Sequence, residues 1–297
     1  MSLTPRRTGL LALLLGALLF STKAVMIKLA YRYDVSSISF LGLRMLFSLP
    51  FFLAVPFFTR NKRRHLSPLP LRPRLTIMLL GCFGYYLASY TDFLGLQYVS
   101  AGMERVILFT YPTMVLLLQR LIFKTPIRRV QWVATVLCYL GIGIAFSGSD
   151  WSAGSNFGLG AALVLLSAFL YSFYVIGSGK LAPEVGNVRF TSTALVTAAA
   201  CVSVHVLVSG EPLLGFPDRV YLYAIITAIF CTVIPSYLVT AGIQRLGAGD
   251  AAIVGAIGPV GTIVLEYLVL QERMNVLQGA GAVLIIAGVV LIGRSKT

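Results

Sequence analysis

Apolar residues run along this chain in long blocks, not in the two-residue alternation of strands or the one-sided stripe of a surface helix. The blocks span 9–30, 37–58, 75–98, 103–123, 129–148, 157–180, 189–209, 219–245, 250–270 and 276–293. Each approaches the ~20 residues that a helix rising 1.5 Å per residue needs to cross a bilayer core. The links between them are short and carry breakers: Ser67-Pro68-Leu69-Pro70, Thr125-Pro126, Gly154-Ser155, Pro183-Glu184 and Gly210-Glu211-Pro212. This pattern predicts an all-α integral membrane protein of ten transmembrane helices, with no stretch long enough for a separate soluble domain.

Composition reinforces the pattern. Of 297 residues, 58% are hydrophobic and 11% charged, with a mean hydropathy of +0.88. Soluble domains carry about 25% charged residues, so lipid must be the solvent for most of this surface. The net charge of +14 does not point to nucleic acid, because no aromatic-basic stripe accompanies it. The basic residues concentrate instead in alternate links. With the N-terminus in the cytoplasm, 16 of them lie at cytoplasmic ends, from Arg6 and Arg7 to Arg294 and Lys296. Only Arg32, Arg219 and Arg273 lie outside. That asymmetry predicts a multi-pass protein of the inner (plasma) membrane with both termini cytoplasmic. The first block follows two arginines but continues to Ala30 with no small-x-small cleavage site before Lys23, so it is read as a retained helix.

Catalytic and metal chemistry find little support. Cys82, Cys138, Cys201 and Cys231 all fall inside apolar blocks without CxxC spacing and are read as small packing residues. The two histidines, His65 and His205, are isolated, and no HExxH-type motif occurs. The expectation is a non-enzyme without metal or cofactor.

The two halves of the chain repeat. Residues 87–142 align with 234–289 at a constant offset of 147, without a gap. Ser89-Tyr90 matches Ser236-Tyr237, Gly95 and Gln97 match Gly242 and Gln244, Pro112 matches Pro259, and Gly141 matches Gly288. Earlier, Ala17–Ser21 parallels Ala168–Ser172 at an offset of 151. Residues 1–148 and 149–297 are therefore expected to be two five-helix repeats. An odd number of spans forces the second copy to cross the membrane in the opposite sense, the arrangement that underlies alternating access in many secondary transporters.

The segment Pro259-Val260-Gly261 to Leu270-Gln271-Glu272-Arg273, in this ten-helix frame with basic inner links, resembles the drug/metabolite transporter superfamily and its EamA-type permeases. Gln271 replaces the usual Gly of that family's turn, and Thr125 stands where the first repeat would carry the equivalent of Glu272. The resemblance implies a secondary transporter, often an exporter of amino acids or related metabolites, with a central cavity between helices 1–4 and 6–9. It leaves open a drug, nucleotide-sugar or phosphate-ester carrier.

Charges inside the blocks need a reason, since each costs about 2.5–3.5 kcal/mol at a helix centre. Lys23 lies roughly 20 Å along helix 1 from Leu10, and Arg44 about 10 Å into helix 2. Both are expected to attract a carboxylate or phosphate. Asp92, Glu104 and Glu266 would pair with them, hold a substrate amine or accept a coupling proton. Glu104, Arg105 and Lys28 have the alternative of extending their side chains to an interface. Tyr90 and Tyr237, paired by the repeat, are candidate cavity walls, and Tyr111 joins them from helix 4. Pro112 and Pro259 each remove a backbone donor at matched positions and are read as kinks or gates. The expected partners are the bilayer, a small polar, anionic or zwitterionic substrate, and a coupling proton or counter-substrate. A sensor or assembly subunit that transports nothing is the competing reading.

Overall fold

The computed structural model describes residues 4–58, 69–147, 156–261, 264 and 276–294. Glu266, one of the expected site residues, lies outside the described residues, as do Gln271 to Arg273.

All the regular structure among the described residues is helical. Seven helices are long and apolar enough to span a membrane: α1 (Pro5–Tyr31), α2 (Ser37–Phe58), α3 (Leu71–Tyr98), α4, α6 (Phe157–Val185), α7 (Asn187–Ser209) and α8 (Asp218–Leu246). α4 is built of two pieces, Ala101–Leu108 and Tyr111–Phe123. Shorter apolar helices supply α5 (Arg129–Phe146), α9 (Ala248–Gly261) and α10 (Val276–Arg294). The ten-helix expectation is met at every block, although only the first part of the block at 250–270 is described.

Lipid supplies no hydrogen bonds, so a spanning helix stays continuous unless protein satisfies what a break exposes. The interruptions here fall in matched places. α3 loosens into a π-helical segment at Cys82–Leu87, and α8 does so at Ile229–Val233, the same place one repeat later. α4 stops at Leu108 and restarts at Tyr111, with Pro112 in the first turn of the new piece. α9 turns at Ala256-Ile257 just before Pro259. The expected kinks are therefore full breaks. One interruption is unpaired: α1 is broken at Thr22, between Ser21 and Lys23, whereas α6 is continuous through the matched position.

Helix packing shows the duplication in three dimensions. α1 packs along α8, and α3 along α6, which is the same pairing with the halves exchanged. α2 packs on α7, α4 on α9 and α5 on α10, each helix against its own counterpart. Glycines allow the backbones to meet, as is usual for helices in lipid. A Cβ on Gly95 would lie 3.0 Å from the Gly160 carbonyl oxygen, and one on Gly242 would lie 3.0 Å from that of Gly9. The α5–α10 pair is also close, where a Cβ on Gly281 would fall 2.4 Å from the Gly141 oxygen. Gly141 and Gly281 thus serve close packing, whereas Gly143 on the same helix as Gly141 faces open space.

These contacts generate a paired prediction. Gly281→Ala should destabilise the protein by about 1–3 kcal/mol, because backbone cannot move aside as a side chain can. Gly143→Ala should be neutral or stabilise it by up to about 1 kcal/mol. Thermal unfolding of both variants in detergent checks the contrast, and equal melting temperatures would contradict it.

Candidate functional site

The two helix breaks, at Phe109-Thr110 and Ala256-Ile257, face one another across the centre of the bundle. Around them is a cavity of about 110 Å³, lined by α1, α2, α3, α4, α6, α8 and α9. Its wall includes Leu108 and Gly255. Pro112 and Pro259 lack an N–H, so these two carbonyls, four residues upstream, lose their helical donor. The carbonyls just before the prolines are held by serines. Ser21 Oγ donates to the Gly258 oxygen at 2.8 Å, and Ser172 Oγ donates to the Tyr111 oxygen at 3.4 Å. Ser21 and Ser172 match in the repeat, as do Tyr111 and Gly258, so one hydrogen bond occurs twice. Tyr111 Oη also donates to the Ala252 carbonyl at 3.0 Å, tying the two broken helices together.

Charge is distributed unequally over this frame. Lys23, Arg44 and Arg105 all line the cavity. Arg44 is 2% exposed, its guanidinium lies 4.9 Å from the Phe93 ring centre, and its Nε and Nη2 have no hydrogen-bond partner. Behind the cations stand two carboxylates, neither of which lines the cavity. Lys23 Nζ donates to Asp92 Oδ2 at 2.5 Å and lies 3.9 Å from Glu104. Arg105 Nε is 3.1 Å from Glu104 Oε2, and Arg105 Nη2 donates to the Phe20 carbonyl at 3.2 Å. Glu104 and Arg105 are fully enclosed, so they do not extend to an interface. Two anions against three cations leave a net positive charge facing the cavity.

In the matched positions of the second repeat, Tyr174 stands for Lys23, Val239 for Asp92, Ala251 for Glu104 and Ala252 for Arg105. That side of the cavity is aromatic and aliphatic. Tyr85 packs edge-on against Tyr174 at 4.8 Å between centroids, and Tyr111 meets Tyr171 at 5.5 Å. The Tyr85 hydroxyl is buried without a partner.

A second ionic knot closes the opposite end of the bundle. Asp250, in the first turn of α9, pairs with Arg128 and accepts from Gln131 Nε2 at 2.9 Å. Arg6 Nη2 lies 3.8 Å away. The contact joins α1, α5 and α9 at the ends where each begins.

Lys23, Arg44 and Tyr111 are thus brought to the cavity, with Asp92 and Glu104 just behind. Tyr90 and Tyr237 are not among the described residues that line it. Tyr90 packs edge-on against His205 at 4.6 Å, and Tyr237 Oη bonds Ser192 Oγ at 2.7 Å. Sequence reasoning missed Arg105 as a cavity residue and Asp250 altogether. An acidic residue three positions after Gly247, in the first turn of a helix, reads as an ordinary end-of-helix charge. Its two arginines sit 244 and 122 positions upstream.

The family model for "EamA-like transporter family" matches residues 7–147 and again 158–294. The chain belongs to the EamA-like transporter family. It is an all-α membrane protein of two five-helix repeats, and the odd number of helices in each makes the repeats inverted. Among similar proteins, the Bacillus subtilis (strain 168) "Uncharacterized transporter YcbK" is 29% identical over 92% of this chain and 88% of its own. The Synechocystis "Uncharacterized transporter sll1319" is 24% identical over 97% and 94%. A solved crystal structure superposes on 95% of each chain with a TM-score of 0.76 at 14% identity, which speaks to the fold alone.

Removing one member of the buried ion cluster leaves its partners uncompensated. Lys23→Met is expected to destabilise the EamA-like fold by about 3–5 kcal/mol. The double variant Lys23→Met/Asp92→Leu should recover at least half of that loss. Detergent unfolding of the single and double variants reads this out, and additive losses would contradict the coupling.

Proposed function

We propose that this protein is a secondary transporter, and not an enzyme, that exports a small metabolite carrying a carboxylate and an apolar or aromatic part. The observation that carries the reading is Arg44, a buried guanidinium with unpartnered nitrogens on a cavity wall shared with Lys23 and Arg105. A buried guanidinium whose nitrogens lack hydrogen-bond partners gains from an anionic ligand that supplies them. Tyr111, the first residue of the Tyr111–Phe123 helix, lines the cavity, so the positive end of that helix dipole lies beside it. Tyr85, Tyr111 and Tyr171, which line the same cavity and meet edge-on, accept the apolar remainder of such a substrate.

Alternating access follows from the two knots. Lys23–Asp92–Glu104–Arg105 holds α1, α3 and α4 together on one side of the cavity, and Arg6–Arg128–Asp250 holds α1, α5 and α9 on the other. Each is polar enough to separate into water and strong enough to close when dry. The breaks at Pro112, Pro259 and Thr22 supply hinges near the cavity. In this reading residues 1–148 and 149–297 are flipped copies that exchange roles, in an inner membrane with both termini cytoplasmic. Asp92 or Glu104 carries the coupling proton, or a counter-substrate occupies the cations on the return step. Phosphate esters are the second reading, favoured by the same three cations.

Purified protein in liposomes should move labelled amino acids or small carboxylates, and Arg44→Gln should lower the rate at least tenfold while the protein stays folded. Wild-type flux that Arg44→Gln leaves unchanged would remove the site. No flux across amino acids, carboxylates and sugar phosphates would favour the sensor reading. Orientation has its own test. Single cysteines at Thr125 and Glu272 should be labelled from opposite faces of the membrane, and labelling from one face would exclude the flip.

A further inference from the structure

On the flank of the bundle, between α2, α3 and α7, runs a groove of about 1080 Å³. It shares no lining residue with the central cavity. Apolar side chains, among them Phe52, Leu53, Met78, Val196 and Val204, make most of its wall. Most of the hydroxyls along it are already engaged. Ser192 is bonded to Tyr237 Oη, and Thr197 Oγ1 donates to the Thr193 carbonyl at 2.9 Å. A polar solute would meet few free partners there, whereas a hydrocarbon chain would meet matching surface.

The two ends of the groove differ. Arg74 and Arg189 stand at one end, and Tyr86 bonded to His205 Nδ1 at 3.1 Å stands at the other. Arg189 and His205 lie on the same helix, roughly 24 Å apart at 1.5 Å per residue. That exceeds the ~15 Å hydrocarbon depth of one leaflet, half of a ~30 Å core. No Asp or Glu lines the groove among the described residues, so the ammonium of a zwitterionic headgroup would find no carboxylate. Paired arginines suit a phosphodiester whose headgroup is net negative.

We propose that this groove is a specific seat for one anionic phospholipid, its phosphate between Arg74 and Arg189 and one acyl chain along α7 towards His205. Occupancy would wedge α2, α3 and α7, giving the anionic lipid content of the membrane a direct grip on helices that also wall the central cavity. The seat stands independently of what the cavity carries.

Delipidated protein in a neutral detergent, titrated with phosphatidylglycerol or phosphatidylcholine and followed by native mass spectrometry and melting temperature, tests it. One phosphatidylglycerol per chain should be retained, at least fivefold more tightly than phosphatidylcholine. Arg74→Gln should weaken phosphatidylglycerol about fivefold, the worth of one basic residue at a charged surface, and leave phosphatidylcholine unchanged. Ala200→Trp fills the groove from an exposed position and should abolish binding of both. Both substitutions replace exposed side chains and leave the core and the basic 59–68 link untouched. Equal affinity for the two lipids would overturn the proposal. So would phosphatidylglycerol binding that survives both variants, or equally tight binding of soluble glycerol phosphate.

Discussion

Unpaired backbone and charge cannot be left facing hydrocarbon, and most of what is distinctive in this molecule follows from that constraint. Over the described residues the helices satisfy their own backbone along nearly their whole length. The exceptions, at Phe109-Thr110 and Ala256-Ile257, are turned inward and bridged by Ser21, Ser172 and Tyr111. The same constraint gathers the charges. Lys23, Arg44, Asp92, Glu104 and Arg105 come from four helices and meet at one place, because each has its cheapest environment beside the others.

Duplication supplies the frame, and departures from it supply the chemistry. Glycine contacts, π-helical segments, serine bonds and proline breaks all occur twice in matched positions. The ion cluster occurs once. Tyrosine, valine and alanine occupy the counterpart positions, so a structurally symmetric chamber has one cationic wall and one aromatic wall. In the proposed transport reading, a substrate that fits both walls would itself have two unlike ends.

The two ionic knots place comparable polar contacts at opposite ends of the chamber without being copies of one another. One is assembled by α1, α3 and α4 within the first repeat, the other by α1, α5 and α9 across both. α1 takes part in each, and it is the helix whose break at Thr22 has no counterpart in α6. In the proposed transport cycle, a helix interrupted between two closures would couple them.

Much of the fold was legible in sequence because its causes are local or periodic. Block length set the helices, the offset of 147 exposed the repeat, and Pro112 and Pro259 marked the breaks. Lys23 and Arg44 stood out because a charge deep in an apolar block is costly wherever its neighbours lie. Partnerships were not legible in the same way. Glu104 and Arg105 sit near a helix start, where reaching water and burial look alike along the chain, and only packing against Lys23 and the Phe20 carbonyl enclosed them. Tyr90 and Tyr237 matched in the repeat yet bonded elsewhere, because a pairing in sequence does not specify which face of a helix meets the cavity. Asp250 had no local signal, since its meaning lies in arginines more than a hundred residues away. Sequence by itself determined what must be buried in lipid and how often the chain crosses. Only tertiary structure decided which buried charges meet, because that depends on helix rotation and close approach, which glycine contacts between distant segments control.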